Sequence, residues 1–436
     1  MSEDPKAKIV IIGAGVFGLS TAWYLLKRGY TDILVLERCT ELPAHDGAGY
    51  DMNKVVRSSY SEPFYTNLAR EAIALWKDEK GELGLQGLYH ESGVLILRTE
   101  QNAAYSDNAY ENDVASGARI QKVEGRQDLE GIVPGGTTGS GGDELRGYLN
   151  LDGGWAEAAR GLDAMLANVQ KLGARVEGGK EVTGLLKDEK GKTCGVQCTD
   201  GSSFPADIVV LAAGAWAPAL AERAGVPGMN TKFTATGCVQ TVVWFELTSE
   251  EAERYKRAPV VLDFGTGFYM FPPNAENVVK MGIHSNGYLC ASSDSSTTSA
   301  PRTAVTHGAD GLRIPKEAVK AFREGLRSVY PELGEKPFQG TRLCWYNDTP
   351  DDDWIIGYHP LDRGLLLATA GSGHAYKFLP NIGALVVDAL EHKLAPEVAA
   401  RLAVDRDVNV QPISRVGPPA KNLVLDELCD AHDLLA

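Results

Sequence analysis

The sequence predicts an α/β (α+β) protein in which a Rossmann-like dinucleotide-binding domain is combined with a second, sheet-rich domain. Three observations carry this expectation. A β-branched run at residues 9–12 leads directly into Gly13-Ala14-Gly15-Val16-Phe17-Gly18 and then into a helix-patterned stretch at 19–29. Apolar runs of the same buried-strand type recur at 33–36, 208–211 and 365–368. Between the last two, residues 232–345 carry alternating strands, among them 239–245 and 267–271.

Each element has a physical reason. Strands covered on both faces read as continuous apolar runs rather than alternating ones. In the stretch after the glycines, Leu19, Ala22, Trp23 and Leu26 share one helical face, and Gly29 stops the helix. Gly13 permits the tight turn, Gly15 lets backbone approach a pyrophosphate, and Gly18 allows close helix–strand packing. The helix start at Val16 and Phe17 offers free N–H groups and a partial positive charge to phosphates. Glu37 ends the second strand about 20 residues further on, where a carboxylate can accept hydrogen bonds from ribose hydroxyls, and Arg38 follows it. This motif alone leaves FAD and NAD open. Ala212-Ala213-Gly214-Ala215-Trp216, a small-residue strand end, resembles the second nucleotide contact of glutathione-reductase-like flavoproteins and favours FAD.

The remaining chain is read more coarsely. Residues 101–143 are polar and end in GGTTGSGG, which reads as excursion and loop. Residues 155–173 read as a helix. Residues 181–206 read as a hairpin region turning at Lys190-Gly191 and Asp200-Gly201, and residues 379–391 read as a second helix. Residues 291–300 (ASSDSSTTSA) are a low-complexity surface loop. The expected partition is a discontinuous FAD-binding domain at 1–80, 145–225 and 340–415, a substrate domain at 81–144 and 226–339, and a C-terminal tail at 416–436.

Composition narrows the function. With 44% hydrophobic and 23% charged residues the chain is an ordinary globular enzyme in make-up. A formal net charge of -15 argues against nucleic acid as a partner. The seven cysteines are odd in number and include no C-x-x-C pair, so neither a disulfide framework nor a zinc site is expected. No metal is expected. The start MSEDPKAK shows no signal segment, no apolar run reaches the roughly 18 residues of a membrane span, and HDLLA is not the S-K-L address. A cytoplasmic monomer is the expectation.

Several further segments, in order, carry a resemblance: Asp51-Met52-Asn53-Lys54-Val55; Gly147-Tyr148 with Gly153-Gly154-Trp155; Lys280-Met281-Gly282-Ile283-His284; Cys344-Trp345-Tyr346-Asn347-Asp348-Thr349; and Gly371-Ser372-Gly373-His374-Ala375-Tyr376-Lys377. From about residue 9 to 415 the chain resembles the sarcosine-oxidase-type FAD amine oxidases, in particular the fungal branch of fructosyl amino acid oxidases (amadoriases), saccharopine oxidases and pipecolate oxidases. The resemblance implies FAD as cofactor, carried covalently on Cys344 as an 8α-S-cysteinyl bond. It implies that Lys280 is the lysine that activates dioxygen, a fixed cation offsetting the negative charge that develops there. Lys54 matches a lysine near the flavin, and with Asn53 and Val55 it belongs to the expected cofactor contacts, as do Gly371, Gly373, His374, Tyr376 and Lys377. Lys54 and His284 join Lys280 as the expected catalytic residues, although His284 either touches substrate, tunes the flavin environment or is a satisfied structural histidine. Amadoriases carry an acidic residue at its place, so M-G-I-H leans toward the sarcosine and pipecolate branches.

Lys377 and Arg415 match the pair that binds the substrate carboxylate in amadoriases, and Arg57 matches the carboxylate-binding arginine of the sarcosine branch. A buried carboxylate needs such cations. Three for one small acid is an excess, which leaves two readings: a dicarboxylate substrate such as saccharopine, or one cation serving another group. Tyr60, with Tyr65, Tyr269, Trp345 and Tyr376, is expected to wall the substrate. The implied reaction oxidises the C–N bond of an N-substituted amino acid to an imine that water hydrolyses, with O₂ reduced to H₂O₂. The alternatives are a fructosyl amino acid oxidase (deglycating amadoriase) proper, or a flavin dehydrogenase using another electron acceptor.

Overall fold

The computed structural model describes residues 4–134, 145–226, 239–290, 298–408, 415 and 417–435. The GGTTGSGG run and most of the low-complexity segment, 291–297, lie outside the described residues.

The first sheet has six strands in the order Ile355–His359, Asp362–Thr369, Ile208–Leu211, Lys8–Ile12, Asp32–Leu36 and Arg175–Glu177. All neighbours are parallel except the edge pair Ile355–His359 with Asp362–Thr369. Its central strands are apolar without alternation because both faces are covered. Helices Val16–Lys27, Ala158–Lys171 and Ile382–Leu390 lie on one face. The antiparallel ribbon Val182–Lys187, Thr193–Cys198 and Ser203–Pro205 covers the other. Gly383 shows how close the helices come: a Cβ there would sit 2.2 Å from the Ser20 carbonyl oxygen.

The second sheet has eight strands: Gly340–Trp345, Val239–Glu246, Val278–Ile283, Phe268–Met270, Val260–Asp263, Val94–Arg98, Arg146–Asn150 and Ile120–Val123. Helix Lys316–Val329 buries Val319, Phe322, Leu326 and Val329 against it. Each such side chain contributes about 1.5–3 kcal/mol on burial. Two segments assigned from the sequence to the dinucleotide domain, Arg146–Asn150 and Gly340–Trp345, pair within this second sheet. Strand patterning alone does not say which sheet a strand joins.

The expected loop at 101–143 is instead a helix, Ala103–Ala115, followed by strand Ile120–Val123 and the short helix Arg126–Glu130. The helix buries Tyr105, Ser106, Ala109 and Asp113, so polar groups sit on its inward face and no apolar stripe marks it. Strand Gly154–Glu157 takes up the start of the expected helix 155–173, which begins at Ala158. Gly191 and Gly201, both at positive φ, make the two expected turns. No helix among the described residues is long and apolar enough to cross a membrane.

The strands of the first sheet end together at Ile12, Leu36, Leu211 and Thr369. Open parallel sheets bind ligands in the crevice outside these carboxyl ends.

Candidate active site

A pocket occupies that crevice. Gly13, Gly15, Val16, Phe17, Glu37, Arg38, Lys54, Ala213, Gly214, Trp216, Gly371, Gly373, His374 and Tyr376 line it, with Tyr346 and Asn347. Gly18, Asn53, Val55, Cys344 and Lys377, expected as cofactor contacts, are not among its lining residues. Gly18 is fixed by packing: a Cβ there would fall 1.9 Å from the Gly13 carbonyl oxygen. Gly15 is different, with nothing within 4 Å of its virtual Cβ. No side chain caps helix Val16–Lys27, whose first N–H groups face the crevice. An open backbone face and an uncapped helix start fit a pyrophosphate. Glu37 accepts from Ala14 N–H at 3.0 Å and Cys39 N–H at 3.2 Å, which aims the carboxylate beside the glycine turn. The Arg38 guanidinium lies 4.0 Å over the Trp216 ring. These residues fit FAD.

Beyond the glycine end, a chain of charge crosses between the two sheets. Lys280, only 1% exposed, donates to Asp51 Oδ2 at 2.7 Å and to the Asn53 carbonyl at 2.6 Å. Lys54 donates to the same Asp51 oxygen at 2.6 Å, and its Nζ lies 3.7 Å from Cys344 Sγ. Burial lowers the Lys280 ammonium to about 8 against the pull of Asp51. Burial would raise Asp51, but the two lysines outweigh it and hold the carboxyl well below its usual range. Asp51 was only part of a matching segment in the sequence; its role as shared counter-ion rests on a contact spanning 229 positions.

A second cluster holds the expected substrate residues. Lys377 donates to Tyr60 Oη at 2.8 Å and to the His374 carbonyl at 2.8 Å. His374 Nε2 faces the Asp352 carbonyl at 2.9 Å, which requires a donor there, so Nδ1 accepts from the Tyr60 hydroxyl at 3.2 Å. Burial, then the charge of Lys377, holds His374 well below its ordinary value, and His284 is lowered likewise by burial and then Arg415. Arg57 is 6% exposed, stacks 4.7 Å from the Tyr60 ring centroid, and leaves Nη1 without a hydrogen-bond partner. Burial and then Arg57 hold Lys377 well below the usual lysine range. Arg415 is engaged: Asp348 takes both of its terminal nitrogens, at 2.6 and 2.5 Å, and Asp352 lies 3.3 Å away.

The three cations therefore differ. Arg57 and Lys377 converge on Tyr60 with no carboxylate between them among the described residues, whereas Arg415 already has one. The sequence did not flag Asp348 or Asp352 as partners of Arg415. Asp352 has φ 58°, and burial pushes its carboxyl up to about 7 despite Arg415. Of the expected aromatic wall, Tyr60 and Tyr65 pack with His374, Trp354 and Phe378, while Tyr376 stacks on Trp76.

L-Saccharopine oxidase of Schizosaccharomyces pombe is 28% identical over 407 residues, covering 89% of this chain and 91% of that protein. Human peroxisomal sarcosine oxidase is 26% identical over 403 residues, covering 89% and 92%. The crystal structure of the deglycating fructosamine oxidase amadoriase II of Aspergillus fumigatus superposes with a TM-score of 0.82 at 27% identity, covering 98% of each chain. Residues 8–389 match the FAD dependent oxidoreductase family, and the chain belongs to that family.

Proposed function

We propose that this protein is an FAD-dependent oxidase of N-substituted amino acids, R–NH–CHR′–COO⁻, acting at the C–N bond. One observation carries the reading: a buried guanidinium with an unpartnered nitrogen, Arg57, beside the buried amine of Lys377, next to a pocket that fits FAD. Among the described residues neither group has a carboxylate partner, and a buried guanidinium beside an amine that an anion would keep protonated calls for one. The substrate carboxylate supplies it. Arg415, bonded by Asp348, is the cation that serves the protein rather than the substrate, so the cluster itself gives no reason to require a dicarboxylate.

The glycine turn, Glu37 and Arg38 would hold FAD, which would supply the two-electron redox chemistry that turns the amine into an imine, hydrolysed by water, and O₂ into H₂O₂. The chain supplies position and charge. Arg57 and Lys377 orient the acid. Burial and the neighbouring cations hold His374 and His284 well below their ordinary value, so the attraction for the acid comes from Arg57 and Lys377. Lys280, held by Asp51, presents a fixed positive charge where dioxygen is reduced. Cys344, 3.7 Å from pocket-lining Lys54, is the residue that would carry FAD covalently.

Relatives named for saccharopine, sarcosine and fructosamine bound the substrate class. A peroxide-coupled screen with saccharopine, sarcosine, pipecolate and fructosyl-valine tests the reading. Turnover with at least one of them and stoichiometric peroxide are expected. Flavin reduction without peroxide in air would point to another acceptor, and no reduction by any of them would overturn the proposal.

A further inference from the structure

Arg57 is poorly held by its own side chain. Among the described residues its side chain makes one hydrogen bond, to Tyr105 Oη at 3.4 Å, and lies over the rings of Tyr60 and Phe264 at 4.7 and 5.4 Å. Its position is set instead by the backbone of residues 57–61, and helix Ala103–Ala115 grips that backbone. Asn112 Nδ2 donates to the carbonyls of Tyr60 at 3.0 Å and Ser61 at 2.9 Å. Tyr105 reaches the Ser59 carbonyl. Asp113, fully buried, accepts from Ser58 Oγ at 2.6 Å and Ser59 Oγ at 2.7 Å. Tyr148 Oη at 3.1 Å and Asn150 Nδ2 at 3.0 Å, both from strand Arg146–Asn150, complete its shell.

All four donors to Asp113 are neutral. A carboxylate with no paired cation is an expensive group to bury, tolerable only when its lone pairs are filled. Here two of the four donors, Ser58 and Ser59, are the residues that follow Arg57. The same grip reaches the second cation, because Lys377 is bonded to Tyr60.

We propose that Asp113 is a positioning residue for recognition of the substrate's acid group: with Asn112 it locks residues 58–61 and so aims Arg57, and through Tyr60 Lys377, at one point. This rests on the assignment of those two cations to the substrate carboxylate. It gives the polar helix Ala103–Ala115 a role that packing alone does not, and it makes preference for an acid over the matching amide a property of this helix.

The test uses the holoenzyme, reduced anaerobically by its best amino-acid substrate and by that substrate's primary amide. Asp113→Asn keeps the shape but replaces an acceptor oxygen by a donor, and Asn112→Ala cuts the two carbonyl ties. In each, apparent Kd for the acid should rise about tenfold, equivalent to about 1.4 kcal/mol. The limiting reduction rate should stay within about twofold, the pattern of lost uniform binding. Kd for the amide should hardly move, so the acid-over-amide preference falls. Acid and amide weakening equally, or the acid Kd unchanged in both variants, would overturn the proposal. If Asp113→Asn does not fold, Ser59→Ala takes its place beside Asn112→Ala. Arg57→Met is the reference: should it leave the acid preference intact, the carboxylate assignment fails independently of Asp113.

Discussion

Replacing Asp51 by Asn is the sharpest perturbation of the charge chain. The substitution nearly conserves shape, so its effects are electrostatic. It removes the carboxylate shared by Lys280 at 2.7 Å and Lys54 at 2.6 Å, in a place where their side chains are 1% and 15% exposed. Removing one side of a buried ion pair costs about 3–5 kcal/mol. An unfolding entropy of about 2.1 cal/mol/K per residue gives roughly 0.9 kcal/mol/K for 436 residues, so Tm should fall by about 3–5 °C. The chain can limit this cost by releasing a proton from Lys280, already lowered to about 8 by burial. A neutral Lys280 no longer stabilises charge on dioxygen, and losing one such oriented group slows a step by roughly 10²–10³-fold. Reduction by substrate, which the proposed function assigns to the Arg57, Tyr60 and Lys377 cluster, should change far less. Stopped-flow measurement of the two half-reactions at pH 7, with differential scanning fluorimetry of the holoenzyme, reads both effects. Repeating reoxidation near pH 6 should recover part of the rate as Lys280 takes its proton back. Wild-type reoxidation with a lowered Tm would refute the link between Asp51 and the charge of Lys280. An equal fall in both half-reactions would show a general disturbance instead.

Three other outcomes follow from the same geometry. In the intact enzyme Lys280 acts as its ammonium form, present below about 8 and lost above it, so the rate constant for reaction with O₂ should fall as pH rises through that value. The Lys280→Met variant should be slow and flat across the same window, and a flat profile in the parent would count against the role. Gly15→Ala meets no protein atom within 4 Å and should leave the Tm of the apoprotein unchanged while weakening FAD binding; Gly18→Ala, 1.9 Å from the Gly13 carbonyl oxygen, should lower apoprotein Tm itself. Acid precipitation should leave flavin fluorescence in the pellet of the parent and release it from Cys344→Ala; a colourless parent pellet would remove the covalent link.

The division between what was legible and what was not follows the range of the interactions. The dinucleotide turn was readable because Gly13, Gly15, Gly18 and Glu37 act within one βαβ unit, where spacing along the chain is spacing in space. The sheet strands were readable because full burial on both faces leaves a continuous apolar run. Helix Ala103–Ala115 was missed because its inward face is polar, and periodicity sees only apolar stripes.

By itself the sequence determined the nucleotide unit, its glycines and the set of candidate cations. Tertiary structure decided which cations are available. Arg415 finds Asp348 across 67 positions, Lys280 finds Asp51 across 229, and Lys377 finds the hydroxyl of Tyr60 across 317 and, among the described residues, no carboxylate. A buried charge is defined by its nearest counter-charge, and that neighbour comes from folding rather than from order along the chain.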